Sequence, residues 1–365
     1  MRAFMAAAAV LLLSSIPALA QSEATPAFDV TATAQPSSWQ DRIAWHGYYQ
    51  FEYTDQQSAH RTFDNHKITV WMGVKLNDRA YLSSEVEYEH APKVENSAAV
   101  TGGSGKIKID SATLRISPID MTDVYMGVFY VPFGIEYYSY PGHKNKLVSR
   151  PKVMYKGKVI PGTWSDVGIG GAYVVNGAGE MDLYVVNGDG KNGGVSRDNS
   201  SGGNDSKSVG VRLMFNRFID GINFGGSYIS GKWDDLDLYK SDRLGLHLRA
   251  DTDTVTGISW APVLIAEYVT GKDEAASSLA GLDKEVSGYY VQVSSLIHPI
   301  VELAARYGQY DYDEKVTDNL RSETSIGIVG HVMDGIQLKA EYQWNTEKAK
   351  EVQDDAVMLQ AVAFW

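Results

Sequence analysis

The sequence predicts an all-β protein, a 16-stranded antiparallel transmembrane β-barrel. Three observations carry this prediction. Apolar and polar residues alternate with a period of two in most segments after residue 42, short turns alternate with long polar loops, and the chain closes on an alternating segment that ends in aromatic residues. A membrane barrel has this pattern because only every second residue faces lipid while the lumen stays polar.

The first twenty residues have the features of a secretory signal peptide. A lone Arg2 precedes the apolar run AAAAVLLLSSIPALA, which ends in Ala18-Leu19-Ala20, and small residues at these positions are typical of a cleavage site. The run is shorter than the roughly 20 apolar residues that a membrane-spanning helix needs. We expect a signal peptide over 1–20, a flexible periplasmic leader over 21–41 and the barrel over 42–365.

The composition excludes several kinds of site. The chain has no cysteine, which excludes disulfides, thiolate metal sites and covalent haem attachment. Its eight histidines are dispersed, and the motifs H-E-x-x-H and G-x-S-x-G do not occur. The sequence therefore predicts no enzymatic activity, no cofactor, no metal site and no nucleic-acid partner.

The period-two pattern defines the strands. In IQLKAEYQW, the apolar Leu338, Ala340 and Tyr342 alternate with Lys339 and Glu341. Charges on the second face are too frequent for a packed core, where unpaired charge is costly, and indicate a wet lumen. The predicted strands start near Ala44, Lys67, Ala80, Lys106, Thr122, Trp164, Glu180, Lys207, Ile222, Arg243, Val263, Val286, Val301, Arg321, Ile336 and Ala356. The even number places both ends of the barrel on the periplasmic side.

Two segments break the alternation. Lys106 and Asp110 share a phase with the apolar Leu114 and Ile116, so we expect a β-bulge near Asp110 to Ala112 to exchange the two faces. The segment DTDTVTGISWAP (251–262) follows no clear period, and its turn boundaries are the least well defined.

The longest connection, the third loop (132–162), concentrates positive charge. It carries six Lys or Arg residues and a single acid, Glu136, whereas the whole chain has a net charge of −12. Loops longer than about 12–15 residues without structure of their own are usually functional or disordered. The tyrosines and spaced prolines of this loop favour order.

Two segments carry a family resemblance. The segment VFYVPFGIEYYSYPGHKNKLVSRP (128–151) resembles the Pro-Phe-Gly segment that leads into the inward loop of the phosphate-selective porin O and P family. The C-terminal VMLQAVAFW resembles the final strand of outer-membrane porins, although the family ends in Phe and this chain ends in Phe364-Trp365. With the signal peptide and sixteen strands, the resemblance extends over nearly the whole mature chain.

The resemblance implies a homotrimeric channel in the bacterial outer membrane, surrounded by lipid, that lets small anions such as phosphate or other oxyanions diffuse passively. In such porins the loop after the fifth strand folds inward and narrows the lumen, so the resemblance implies a long third loop that folds inward here. A cluster of cations there would repel cations and stabilise partly dehydrated anions. The predicted constriction residues are Lys144, Lys146, Arg150, Lys152, Lys156 and Lys158. The predicted cations of the lumen wall are Arg212, Arg243, Arg249, Arg306 and Lys339.

Two alternatives keep the barrel. A general or cation-preferring porin would result if the acidic remainder of the chain dominated. This requires that the basic loop points outward, or that its cations pair with lumen acids such as Glu85, Glu87, Glu302 and Glu341. A barrel that encloses part of an electron-transfer protein complex would need a lumen wide enough for a protein.

Overall fold

The computed structural model describes residue 38 and residues 40–90, 105–136, 141–154, 164–188, 205–279, 281–348 and 350–365. The predicted signal peptide and most of the predicted leader lie outside these residues. The sixteen strands are β1 Ile43–Gln56, β2 Thr62–Asn77, β3 Ala80–Glu89, β4 Lys106–Ile119, β5 Thr122–Tyr130, β6 Ser165–Val175, β7 Gly179–Val186, β8 Ser208–Ile219, β9 Ile222–Lys232, β10 Lys240–Asp251, β11 Val263–Asp273, β12 Lys284–His298, β13 Val301–Asp311, β14 Arg321–Met333, β15 Ile336–Glu347 and β16 Ala356–Phe364.

The strands close into one antiparallel barrel, as predicted. Each strand pairs with its neighbours in sequence, and β1 pairs with β16 to complete the ring. Gly47 and the terminal Trp365 exchange two backbone hydrogen bonds of 3.1 Å at this closure. The aromatic end of the chain is therefore part of the seam that removes the last free sheet edge.

The predicted strand positions are confirmed. The largest difference is at β2, which begins at Thr62, five residues before the predicted Lys67. A register shift explains it: between the pairs Gln50–Lys67 and Glu52–Asp64, β2 has one residue more than β1. This bulge interrupts the alternation on which the prediction depended.

The barrel is apolar on its outer face and polar on its inner face, the inverse of a soluble protein. On β15, Leu338 is 50% exposed, whereas Lys339 is 4% and Glu341 is 3% exposed. A barrel whose outer surface contacts hydrocarbon and whose polar residues point inward has this arrangement.

The predicted bulge in β4 is confirmed. Glu85 pairs with Ser111 and Val86 pairs with Ile109, so Asp110 has no partner opposite it on β3. Asp110 and Ser111 are consequently both buried on the same inner face.

The irregular segment after β10 contains a short helix, α1 (Thr252–Thr256), which the alternation could not predict. Its last turn ends at Gly257, which adopts a φ of 71° and donates its N–H to the carbonyl of Asp253 at 2.7 Å. Two three-residue 3₁₀ helices are also present, Gln40–Arg42 and Lys152–Met154. Within the described ranges, no helix is long and apolar enough to cross a membrane.

Part of the inner face is packed instead of wet, which differs from the predicted lumen. Apolar residues that flank or belong to the third loop, including Phe133, Ile135 and Val153, form one buried cluster with inward-facing side chains. The strand residues of this cluster are Tyr125, Phe129, Tyr184, Val186, Met214, Ile229, Ile265, Val269, Val286, Tyr290 and Tyr310. The period-two pattern shows which residues point inward, but not which of them a loop covers.

Candidate functional site: the third loop inside the barrel

The third loop crosses the barrel. It leaves β5, and its middle contacts inward-facing residues of β13, β14 and β15, which lie on the opposite side of the ring. The imidazole of His143 stacks on Phe364 of β16, with ring centroids 4.8 Å apart. The described part of the loop thus lies within the lumen and reaches the far wall.

The Pro-Phe-Gly segment attaches the start of the loop to β9 and β11. Gly134 donates its N–H to the hydroxyl of Ser227 at 3.0 Å, and Ile135 donates its N–H to the carboxylate of Glu267 at 2.6 Å. Gly134 has a φ of 64°, and a Cβ on it would lie 2.1 Å from Oε1 of Glu267. Both the left-handed backbone and the close approach of the carboxylate require glycine at this position.

The middle of the loop is attached by a network of charged groups. The carboxylate of Glu341 accepts hydrogen bonds from the N–H groups of Val148 and Ser149, both at 2.7 Å, and from the hydroxyl of Ser149 at 2.6 Å. Arg306 donates to the carbonyl of Ser149 at 3.0 Å and lies 3.4 Å from the carboxylate of Glu323. Because these groups are almost fully shielded from solvent, each depends on its partners for compensation.

Lys339, predicted to line the wall, holds the loop. Its ammonium group donates to the backbone carbonyls of Gly142 and Asn145, and its side chain is buried. Arg306 has the same role at Ser149. These two predicted wall cations are thus engaged by the protein's own carbonyl and carboxylate oxygens.

The other three predicted wall cations form ion pairs with acids of the barrel. Arg212 pairs with Asp182 at 2.7 Å, and Arg243 makes a bidentate pair with Asp273 at 2.8 and 2.9 Å. Both arginines are buried. Arg249 is partly exposed and pairs with Asp251 at 2.7 Å.

Four of the six predicted constriction cations lie in the described part of the loop. Lys146 pairs with Glu302 at 3.0 Å and Lys152 pairs with Asp354 at 3.0 Å. Lys144 and Arg150 are half-buried. The remaining two, Lys156 and Lys158, lie outside the described residues.

Lys144 and Arg150 each lie near a second basic side chain of the inner wall. Lys144 interacts electrostatically with the imidazole of His46 on β1. Arg150 interacts electrostatically with the ammonium group of Lys67 on β2 and with the carboxyl group of Glu136 at the start of the loop. The loop therefore brings Arg150 and Lys67, 83 residues apart in sequence, to one part of the inner wall.

Glu136 is a buried acid that interacts with both Arg150 and Lys67, while Lys67 itself is paired with Glu87 at 2.8 Å. Loss of hydration raises the pKa of the Glu136 carboxyl from the ordinary 4.5 to about 7, although Arg150, Arg306 and Lys67 oppose the shift. Near neutral pH this acid is consequently only partly ionised and offsets only part of the positive charge around it.

Several groups of the site were not predicted from the sequence. Glu267, Glu323 and Lys67 each have the inward phase of their strand, but nothing in the local sequence shows that the loop or a neighbouring charge meets them. Lys67 lies 2.8 Å from Glu87, and both side chains are almost fully buried. These residues could have been found by combining the inward-facing positions of each strand with knowledge of where the loop crosses the lumen.

Comparisons with known proteins agree on the fold. The sequence profile of the Gram-negative porin family matches residues 6–350. Among solved structures, the chain is similar to the anion-selective porin from Comamonas acidovorans (TM-score 0.61, 12% identity, 88% of this chain and 99% of that chain). It is also similar to OmpF from Salmonella typhi (TM-score 0.62, 11% identity, 88% and 97%), and to OmpT from Vibrio cholerae in its trimer form (TM-score 0.60, 10% identity, 88% and 99%). Among curated proteins, no sequence matches.

Proposed function

Because the chain belongs to the Gram-negative porin family, we propose that it is an outer-membrane porin through which small anions diffuse passively, past a constriction formed by the third loop. Family membership and the sixteen-stranded barrel support a channel of the outer membrane in preference to an enzyme. The anion preference and the role of the loop cations are the parts of this proposal that need experiment.

The observation that carries the anion preference is the position of Lys144 and Arg150. Both lie on a loop that crosses the lumen, and each is near a second basic side chain, His46 or Lys67. A cluster of cations between low-dielectric walls attracts anions and repels cations. Since Glu136 is only partly ionised near neutral pH, it weakens this field less than an exposed carboxylate would.

The solutes we propose are small oxyanions, phosphate among them. Guanidinium and ammonium groups donate hydrogen bonds that replace part of the hydration shell of an oxyanion. The similarity to the Comamonas anion-selective porin is compatible with this proposal and contributes the fold only, since the two chains are 12% identical. A trimeric assembly is proposed on the same basis, from the trimer form of Vibrio cholerae OmpT.

A second candidate is a general porin with little or no preference for anions. The pairs Lys146–Glu302 and Lys152–Asp354 favour it, because they neutralise two of the loop cations. The net charge of −12 favours it as well. A barrel that encloses an electron-transfer protein is disfavoured, since the loop occupies the lumen that such a partner would need.

The reversal potential of the purified protein in a planar bilayer under a KCl gradient distinguishes these candidates. Our proposal predicts a potential displaced toward the chloride equilibrium potential. A potential displaced toward that of potassium would refute the anion preference, and a value near zero would support the general porin. Repeating the measurement with potassium phosphate shows whether oxyanions carry current. Insertion events that each raise the conductance in three equal steps would support the trimer.

A further inference from the structure

Two histidines and one aspartate converge at the end of the barrel that carries the long loops. Asp64 and His66 lie near the start of β2, and His90 directly follows β3. Nδ1 of His90 is 2.7 Å from Oδ2 of Asp64, and Nδ1 of His66 is 3.4 Å from the same oxygen. The two imidazole rings meet edge to face, with centroids 5.1 Å apart.

A second carboxylate lies beside this group. Oε2 of Glu52, on β1 opposite Asp64, is 3.4 Å from Nδ1 of His66. The ligand atoms of Asp64, His66 and His90 all lie within 4.8 Å of one another, and Glu52 lies beside His66. Ligand atoms on a tetrahedral metal ion with bonds of about 2.1 Å are about 3.4 Å apart, so the separations involving His66 already have the spacing that such an ion requires.

Two further observations favour a bound cation. Oδ1 of Asp64 is shielded from solvent and accepts no hydrogen bond from any described residue, although a buried carboxylate oxygen normally has a partner. The histidine side chains are 32% and 50% exposed, so an ion can reach the group from the aqueous side. Within the described chain, this is the only cluster of three or more histidine and carboxylate ligands that could hold a metal ion.

From this geometry we propose that Asp64, His66 and His90 bind a divalent transition-metal ion of the zinc and copper type at the outer mouth of the barrel, with the carboxylate of Glu52 beside His66. Neutral imidazole nitrogens suit Zn²⁺ and Cu²⁺, whereas Mg²⁺ and Ca²⁺ prefer sites made only of oxygen. This site is distinct from the loop constriction and does not depend on its selectivity.

No motif in the sequence indicates this site. His66 and His90 are 24 residues apart and lie in no metal-binding motif. They meet because β2 and β3 form a hairpin, in which Lys67 pairs with Glu89. The extra residue that the bulge adds to β2 falls between Asp64 and Lys67, next to His66.

Isothermal titration of the untagged barrel with Zn²⁺ tests the proposal, with Mg²⁺ and Ca²⁺ as competitors. We expect one Zn²⁺ per chain, undisturbed by a large excess of either competitor. His66→Ala and His90→Ala should each weaken the affinity more than about tenfold, as the loss of a ligand exceeds the effect of a supporting residue. His60→Ala removes an exposed histidine from the neighbouring β1–β2 connection and should leave the affinity unchanged.

A second readout covers variants that fold poorly. The Cu²⁺-loaded protein should show an electron paramagnetic resonance spectrum with coupling to imidazole nitrogen, and Asp64→Asn, which preserves shape, should alter that spectrum. Zn²⁺ binding that is absent, equally strong in His66→Ala and His90→Ala, or displaced by Ca²⁺ would overturn the proposal. The three side chains would then form only a hydrogen-bonded group.

Discussion

The ends of the third loop and its middle are attached to the barrel by different kinds of contact. Around the ends, Phe133, Ile135 and Trp164 are buried in an apolar cluster with residues of β5, β7–β9 and β11–β13. In the middle, Val148 and Ser149 are held by Glu341 and Arg306. Apolar packing is tolerant of direction, whereas charge-assisted hydrogen bonds fix the position of individual groups. The comparison indicates that the ends keep the loop inside, while the middle sets where its cations stand.

The largest effect on stability is expected from removing Arg306, the arginine that anchors the middle of the third loop. Arg306→Ala would leave Glu323 and Glu341 buried without their cation, and breaking a buried pair costs about 3–5 kcal/mol. Urea unfolding in lipid should show that loss, and single-channel conductance should rise as the loop detaches from β13. Arg249→Ala is the matched control, because its pair with Asp251 is partly exposed and should contribute less than about 1 kcal/mol. Equal losses of unfolding free energy in Arg306→Ala and Arg249→Ala would show that the ion pairs of Arg306 do not anchor the middle of the loop.

The next largest effect on stability is expected at the start of the third loop. Gly134→Ala combines a left-handed backbone with a collision against Glu267, whereas Gly177→Ala has a similar φ of 72° and no atom within 4 Å of the new Cβ. The control should lose about 1–2 kcal/mol from backbone strain alone. Gly134→Ala should lose about 1–3 kcal/mol more, because Glu267 must release the N–H of Ile135.

The free energies of unfolding of Gly134→Ala and Gly177→Ala test this expected difference. If they coincide, the contact between Gly134 and Glu267 contributes nothing to holding the loop.

The smallest effect is a dependence of selectivity on pH. The buried Glu136 has a pKa raised to about 7, so it is mostly neutral at pH 5 and mostly charged at pH 9. Raising the pH through this range adds one negative charge beside Arg150, and we expect the anion preference to weaken. In Glu136→Gln this component of the pH dependence should disappear, as measured by reversal potentials across the range. A preference that strengthens with pH, or an unchanged profile in Glu136→Gln, would contradict this assignment.

The barrel could be predicted from the sequence because each strand carries its own period-two signal. The bulge at Asp110 was predictable for the same reason, since it reverses the phase within a single strand. The residues that become buried under the loop were not predictable, because Glu267 and Tyr290 look like ordinary inward-facing positions until Ile135 is placed against them.

The site was predicted only in outline. Charge and position identified the third loop, but the sequence does not say that Lys339 binds loop carbonyls or that Lys146 meets Glu302. Such pairings depend on contacts between residues more than 150 positions apart in the sequence. The cluster of His66 and His90 was missed because a cross-strand pair leaves no motif in the sequence.

We propose that the cations in the middle of the third loop make the channel prefer anions. The most direct test of this claim is the reversal potential under a KCl gradient of Lys144→Glu combined with Arg150→Glu, compared with Lys272→Glu combined with Lys348→Glu. Both double variants change the charge by the same amount, but Lys272 and Lys348 are exposed residues paired with Asp283 and Asp318. We predict that the loop variant loses or reverses the anion preference while the control keeps it. Equal potentials in the two variants, or an unchanged preference in the loop variant, would contradict the claim.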